Sequence, residues 1–480
     1  MKRQADDNEV IVLGSGLGGL VAGALLSIKR HSVLLLKERG DASFFARGGY
    51  RFVPFSNFSE RRLKISLLRK VSQALNLPLP GLGPEKGEKK RVAFQVILPK
   101  ARIDLFCQPS LFRREWNREF PKEVDRVEEF YAQLRRLRNL LGREKTREDL
   151  FPLQSRSLTK RFFSFGSFSG NGTEKRLSQF SREFQEFIQL QLLSLGSLFS
   201  EGAPASLMAY LLSGDELGDV ISEIDLERVK KGLLESFLQS GGEMVEIERV
   251  EKVEKGWRKG FALTVAGDKG VFQCKNLIVS SPLHPLSNLL GKMKKRLLRW
   301  TQKIRPRYLL FPIFLGIHER VIPVGMKDLL VSIFDMEKPY EGGNVLLLSL
   351  SQKGDETEAP EGKRALTVQC LIPYEKLNED SFTELEKEVA RHLEQLIPFF
   401  AKHMEFIDLG WGKEQISRWS YPHFLYEVPS GLNWRDGTVP CRIWRDLYFA
   451  GKENFPYLGI EGEILSGMTV AKEILKRYAE

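Results

Sequence analysis

A strand, a glycine-rich turn, a helix and a second strand run without interruption from Val10 to Arg39. Val10-Ile11-Val12-Leu13 is a short apolar run suited to a strand buried on both faces. Gly14-Ser15-Gly16-Leu17-Gly18-Gly19 follows, with glycines spaced G-x-G-x-x-G at Gly14, Gly16 and Gly19. Leu17, Leu20, Val21, Ala24, Leu25 and Ile28 then recur at helical spacing, and Val33–Leu36 reads as a parallel strand. In this context the glycines give a tight turn, a close backbone approach to a pyrophosphate and close helix–strand packing. The N–H groups and dipole at the helix start favour an anion. The pattern predicts a dinucleotide-binding α/β unit, with Gly14, Gly16, Leu17, Gly18 and Gly19 at the phosphates.

The acid that usually completes such a unit, roughly 20 residues on, accepts hydrogen bonds from a ribose. Lys37 stands at that place and Glu38 one residue later. A one-residue slip in a strand moves a side chain to the other face, so Glu38 serves there only if the strand end bulges or twists. Lys37 and Arg39 leave a second reading open, in which basic residues meet the 2′-phosphate of NADP.

A chain of 480 residues exceeds what one core usually supports, so two domains are expected. Hydrophobic residues at 42% and charged residues at 28% suit a globular protein, and runs such as Tyr308–Ile317 are too short to span a bilayer. Met1–Glu9 is polar and leads directly into the first strand, so no signal peptide is read and a cytoplasmic location is expected. Four scattered cysteines (Cys107, Cys274, Cys370, Cys441) lack C-x-x-C spacing, against a zinc site or a disulfide framework. The formal charge of +11 favours anionic partners. Between Leu289 and Arg307 basic residues (among them Lys294, Lys295, Arg296 and Arg299) flank an apolar stripe of Met293, Leu297, Trp300 and Ile304. Such a helix suits peripheral contact with an anionic membrane, or packing on its own domain with solvated lysines. No nucleic-acid module accompanies the charge, so nucleic acid is not expected as a partner. No G-x-S-x-G elbow, P-loop or metal-ligand spacing occurs, which sets aside hydrolase, kinase and metalloenzyme readings.

Further on, Leu63–Leu75 reads as a helix and Val92–Leu98 with Ala101–Phe106 as a hairpin around Pro99-Lys100. Helices are expected over Phe120–Leu141, Phe184–Leu198, Ala205–Leu212, Leu226–Ser240 and Asp380–Ile397. Strands are expected over Glu243–Val253, Phe261–Val265, Asn276–Ser280, Tyr308–Ile317, Asn344–Leu350, Ala365–Ile372 and Leu447–Ala450, with a closing helix over Gly462–Arg477. Gln154–Gly172, rich in Ser, Phe and Gly, reads as an apolar lid or an ordinary surface loop.

These elements, in this order, resemble the FAD-dependent phytoene desaturases, carotenoid isomerases and retinol saturases of the amine-oxidase-like flavoprotein superfamily. Besides the first unit, the resemblance rests on Phe94–Pro99 with Asp104-Leu105 and Glu119-Phe120-Pro121, and on Gly242–Val253 followed by Leu277–Pro282. It rests also on Leu447-Tyr448-Phe449-Ala450-Gly451 with Gly459–Gly467. The resemblance implies a Rossmann-like FAD-binding domain (residues 1–90, 215–290 and 430–480) interleaved with an α+β substrate domain (91–214 and 291–429). It implies that Gly451, Gly459, Ile460 and Glu461 meet the flavin, that Val250 meets the adenine half through its backbone, and that the substrate is a polyene, retinoid or other lipid. Flavin chemistry of this kind needs no evident general acid or base, and His318 and His423 are the histidines best placed near a substrate. Three features depart from the family pattern. Gly40-Asp41-Ala42-Ser43 replaces its Gly-Gly-Arg, Lys452 followed by Glu453 replaces its closing acid, and the Gly-Gly pair is missing around Ile221–Leu226. Three functional readings therefore stand: an FAD-dependent oxidoreductase or isomerase, a relative that keeps the scaffold without tight FAD and binds a lipid or protein, and an NADP-dependent enzyme.

Overall fold

The computed structural model describes residues 8–39, 44–55, 57–58, 62–63, 66–76, 92–106, 109–143, 177–199, 203–212, 222–223, 226–255, 260–267, 270–280, 289, 304–376, 379–418, 423–427 and 438–479. The basic stretch 290–303, the phenylalanine-rich segment 154–172 and residues 40–43 lie outside the described residues.

Two large sheets organise the chain. The first contains β1 (Asn8–Leu13), β2 (Val33–Glu38), β9 (Glu243–Ile247), β10 (Val250–Lys255), β11 (Phe261–Val265), β12 (Val271–Val279), β19 (Arg442–Trp444) and β20 (Leu447–Phe449). Its centre is parallel, in the order β9-β2-β1-β12-β20, and β11 and β10 continue antiparallel from the start of β12. The apolar run 10–13 is buried on both faces because side chains alternate along it. Val10 and Val12 pack toward α1 (Leu17–Ser27), α7 (Leu226–Gln239) and α11 (Ile460–Ala479), whereas Ile11 and Leu13 pack toward β10 and β11.

The second sheet runs β17 (Met404–Asp408), β13 (Pro306–His318), β16 (Lys363–Pro373), β15 (Val345–Leu350), β14 (Leu329–Ile333), β6 (Val92–Leu98), β7 (Ala101–Phe106), with β18 (Phe424–Tyr426) also on β13. It is antiparallel except where β14 meets β6. One face is covered by α8 (Glu379–Leu396) and α9 (Phe400–His403). The other turns toward the first sheet's helices and toward α4 (Val124–Arg143), α5 (Arg182–Gly196) and α6 (Ala205–Leu212), in one continuous core. The remaining elements are the hairpin β3 (Phe45–Arg47) and β4 (Tyr50–Phe52), the short pair β5 (Arg62–Leu63) and β8 (Ser222–Glu223), α2 (Ser66–Leu75), α3 (Pro109–Glu119) and α10 (Gly410–Arg418).

The arrangement is the expected mixed α/β fold, a Rossmann-like sheet interleaved in sequence with a second, largely antiparallel one. Several elements differ from expectation. Glu243–Val253 is two strands, β9 and β10, which separate at Glu248-Arg249 and take different partners. Helix α3 precedes the one expected from Phe120, which itself begins at Val124. Strand β14, a short Leu-Leu-Val-Ser-Ile segment, carries no alternation that would have marked it. Among the described residues no helix is long and apolar enough to cross a membrane.

Candidate functional site

The carboxyl ends of β1, β2, β12 and β20 lie at one edge of the parallel sheet, where open α/β sheets bind their ligands. Gly14 leaves β1 at φ +94°, a conformation that favours glycine, and its N–H bonds the carbonyl of Leu36 at 2.9 Å. Gly16 is the N-cap of α1 and supplies no side-chain cap. Ser280, just past β12, supplies one instead. Its hydroxyl accepts from Gly19 N–H at 2.8 Å and donates to the Ala450 carbonyl at 2.9 Å, tying α1 to the ends of β12 and β20. The N–H groups of Leu17 and Gly18 are the remaining first-turn donors that a helix cannot satisfy internally. A phosphate at this helix start would meet these two donors.

Glycines also bring α1 against α11. A Cβ on Gly18 would lie 2.5 Å from the Ala450 carbonyl oxygen and 3.0 Å from that of Glu463, and one on Gly467 would lie 2.3 Å from the Gly18 oxygen. The start of α1, the end of β20 and the first turns of α11 therefore converge. Gly459 precedes α11 at φ +55°, and Ile460 opens the helix inside the core. The helix begins two residues before its expected start at Gly462. Gly451 donates its N–H to Asn454 Oδ1 at 2.9 Å.

Glu461, in the first turn of α11, is 5% exposed. Its Oε2 accepts from the Tyr210 hydroxyl at 2.6 Å, while Oε1 is buried without a hydrogen-bond partner. Burial, reinforced by the Glu461 charge, holds the Tyr210 phenol well above its ordinary pKa, so Tyr210 stays protonated and donates. Arg138 on α4 sits 5.7 Å over the Tyr210 ring, with its own Nη1 buried and unbonded. A buried carboxylate oxygen lacking a donor is costly in any folded chain.

At its carboxyl end, β2 stays regular through its last residues. Lys37 lies opposite Glu246 and Glu38 opposite Ile247, without a bulge. Lys37 Nζ is 3.5 Å from Glu246 across the β2–β9 ladder. Glu38 keeps the opposite face, where its Oε1 accepts from the Val250 N–H at 2.9 Å. The two residues expected at the adenosine half are brought together and bonded to each other. Lys452 similarly meets His423 at 3.2 Å, with the Tyr426 hydroxyl near Glu453 at 3.4 Å. His318 lies at the end of β13 in the second sheet, 3.6 Å from Glu405.

FAD suits the phosphate end and the α11 end of these residues. The first offers helix N–H donors, and the second offers an acceptor oxygen that a flavin imide N–H would satisfy. At the adenosine end, a bound nucleotide competes with the Glu38–Val250 bond.

Ser280, Tyr210 and Arg138 escaped the sequence reading. Ser280 is the last residue of an expected strand, where nothing marks it as a cap, and Tyr210 and Arg138 sit within helices whose periodicity marks only packing.

Comparisons with known proteins agree with this architecture. The chain is 22% identical to prolycopene isomerase 1 of an Oncidium hybrid cultivar, over 98% of this chain and 84% of that protein. It is also 22% identical to the prolycopene isomerase of Arabidopsis thaliana, over 97% and 82%. Its fold matches that of putrescine oxidase bound to putrescine with a TM-score of 0.61 at 15% identity, over 98% of this chain and 99% of that one. Cyclohexylamine oxidase from Brevibacterium oxydans gives 0.59 at 14%, over 99% and 100%. The sequence match to the flavin-containing amine oxidoreductases runs over residues 66–475, and the chain belongs to that family.

Proposed function

We propose that the protein is an FAD-dependent oxidoreductase or isomerase acting on an apolar, polyene-like substrate. The observation that carries the cofactor half is the convergence of two helix N-termini, α1 and α11, on one edge of the parallel sheet, with an unpartnered Glu461 oxygen at the second. In this reading Leu17 and Gly18 N–H groups hold the pyrophosphate, and the α11 start with Glu461 receives the pyrimidine edge. When bound, FAD supplies hydride chemistry at its N5. The chain's part is to orient the substrate and exclude water. Helices α5 and α6 suit that role. Phe184, Phe187, Ile188, Leu190, Leu207 and Met208 are fully buried in the core that α4, α5 and α6 share with the second sheet, in a setting that favours an apolar body. The relatedness to prolycopene isomerases supports the polyene class. The test is anaerobic incubation with a series of polyenes, in parallel, of protein loaded with oxidised FAD and of protein whose FAD has been reduced beforehand with dithionite. The proposal expects a product that has lost two hydrogens to the oxidised cofactor, one that has gained two from the reduced cofactor, or an isomer of unchanged mass with either. Unaltered substrate across the series would count against it.

A second reading has its own support: a relative that keeps the scaffold without tight FAD. The Glu38–Val250 bond and the Lys37–Glu246 and Lys452–His423 contacts occupy groups that a cofactor would otherwise engage. Under this reading FAD neither co-purifies with the protein nor raises its melting temperature, whereas the first requires both.

A further inference from the structure

Gln369 lies on β16, wholly shielded from solvent, and neither its Oε1 nor its Nε2 has a hydrogen-bond partner. Its direction follows from alternation along the strand. Leu366, Val368, Cys370 and Ile372 pack into the core under α8, and Leu371 packs on the other side, toward α5, α6 and α11. Gln369 is in phase with Leu371 and therefore points toward the cofactor half of the molecule.

Its place on that face is distinctive. At one end of the face, Phe314 and Ala365 pack with Tyr50 and Phe52 of the β3–β4 hairpin. At the other, Leu310 and Leu347 join the core of α5, α6 and α11. Gln369 stands between these two apolar clusters, opposite Pro312 on one neighbouring strand and Leu347 on the other. Thr367 and its cross-strand partner Ser349 are in phase with it, and each is 2% exposed. The apolar covering of the sheet thus gives way to a short buried polar strip with an unsatisfied carboxamide at one end.

We infer that Gln369 hydrogen-bonds a neutral oxygen function, a carbonyl or hydroxyl, carried partway along an otherwise apolar ligand. A neutral amide offers a donor and an acceptor but no charge, so it fits a ketone or alcohol better than an amine cation or a carboxylate. Gln369 would then discriminate oxygenated from pure hydrocarbon ligands, because a site built to bond an oxygen is left with unpaired groups when that oxygen is missing. The inference rests on the apolar-ligand reading above and narrows its substrate class.

The test compares laurone, a long chain with a central ketone, with tricosane, its parent hydrocarbon. Each is offered to the full-length protein from the same nonionic micelles, and binding is measured by equilibrium dialysis. The wild type is expected to prefer laurone by at least about ten-fold. Gln369→Leu is expected to abolish that preference, hold tricosane binding within about two-fold, and raise the melting temperature of the ligand-free protein by removing an unpaired buried amide. Equal binding of the two probes by the wild type would overturn the inference and leave the apolar-ligand reading standing. So would a lowered melting temperature for ligand-free Gln369→Leu, since the amide would then be satisfied within the protein, for instance by a buried water. Binding of neither probe would defeat both the inference and the reading beneath it. The wild-type preference can be read even if the variant does not fold.

Discussion

Gly18→Ala drives a methyl group into backbone that has nowhere to go. The added Cβ would lie 2.5 Å and 2.9 Å from the carbonyl oxygen and carbon of Ala450, and 3.0 Å from the carbonyl oxygen of Glu463. No flexible side chain can yield, so α1 must lift away from β20 and α11. Overpacking of this kind costs about 1–3 kcal/mol, and rigid backbone neighbours put the cost near about 3. Alanine regains about 1 kcal/mol over glycine in helix propensity, which leaves a net loss of about 2 kcal/mol. Unfolding entropy of about 2.1 cal/mol/K per residue over 480 residues gives about 1 kcal/mol/K, so the melting temperature falls by about 2 °C. The lifted helix carries the Leu17 and Gly18 donors with it, and FAD affinity should fall about ten-fold or more. Gly23→Ala on the same helix is the control, because its Cβ would meet only the Phe237 ring at 3.5 Å and Val12 at 3.7 Å. There the propensity gain stands almost alone, and stability should rise by about 0.5–1 kcal/mol. Calorimetry and FAD titration of both variants decide the matter. The same sign of stability change in both, or unaltered FAD affinity in Gly18→Ala, would refute the reasoning.

Tyr210→Phe strips the donor from Glu461 Oε2 and leaves a buried carboxylate with no partner; denaturant unfolding should show a loss of about 2 kcal/mol. Glu461→Gln removes a negative charge beside the proposed pyrimidine edge. The flavin midpoint potential, followed by dye-coupled reduction, should rise by about 30 mV, and a fall would contradict the assignment. His392 is buried, stacked on Phe334, with its Nδ1 at the Gly343 carbonyl, and burial holds its pKa below the ordinary 6.5. Both folded and unfolded chains carry it neutral above that value. As the pH falls below 6.5 the unfolded chain takes up the proton first, so stability is lost progressively down to the folded-state pKa. His392→Gln should flatten this part of the pH–stability curve, and an equally steep curve would exclude His392 as its source.

How much of this was legible in the sequence depends on whether a local signal or a distant partner decides each feature. The first β-α-β unit was readable because short-range rules fix it: alternation buries 10–13, and glycine spacing shapes the turn. The β6–β7 hairpin was readable for the same reason, around Pro99-Lys100. The α11 start was placed late because the positive φ of Gly459 lets the helix open at Ile460 rather than at the next glycine. The Lys37-Glu38 pair shows the limit. The sequence exposes a one-residue slip from the family pattern, but only the register of β2 on β9 shows Lys37 facing Glu246. Only the approach of β10 gives Glu38 the Val250 N–H. Gln369 was hidden within a strand read simply as apolar, since its meaning lies in having no partner across two neighbouring strands.

Thermal unfolding with FAD, and separately with NADPH, tests the central claim most directly, which is that the α1 and α11 starts hold one extended flavin cofactor. At about 100 times the dissociation constant, FAD binding adds about 2.7 kcal/mol. At about 1 kcal/mol/K that raises the melting temperature by about 3 °C; NADPH should leave it unchanged, and Gly18→Ala should blunt the FAD effect. A melting temperature indifferent to saturating FAD, or one raised by NADPH instead, would contradict the account.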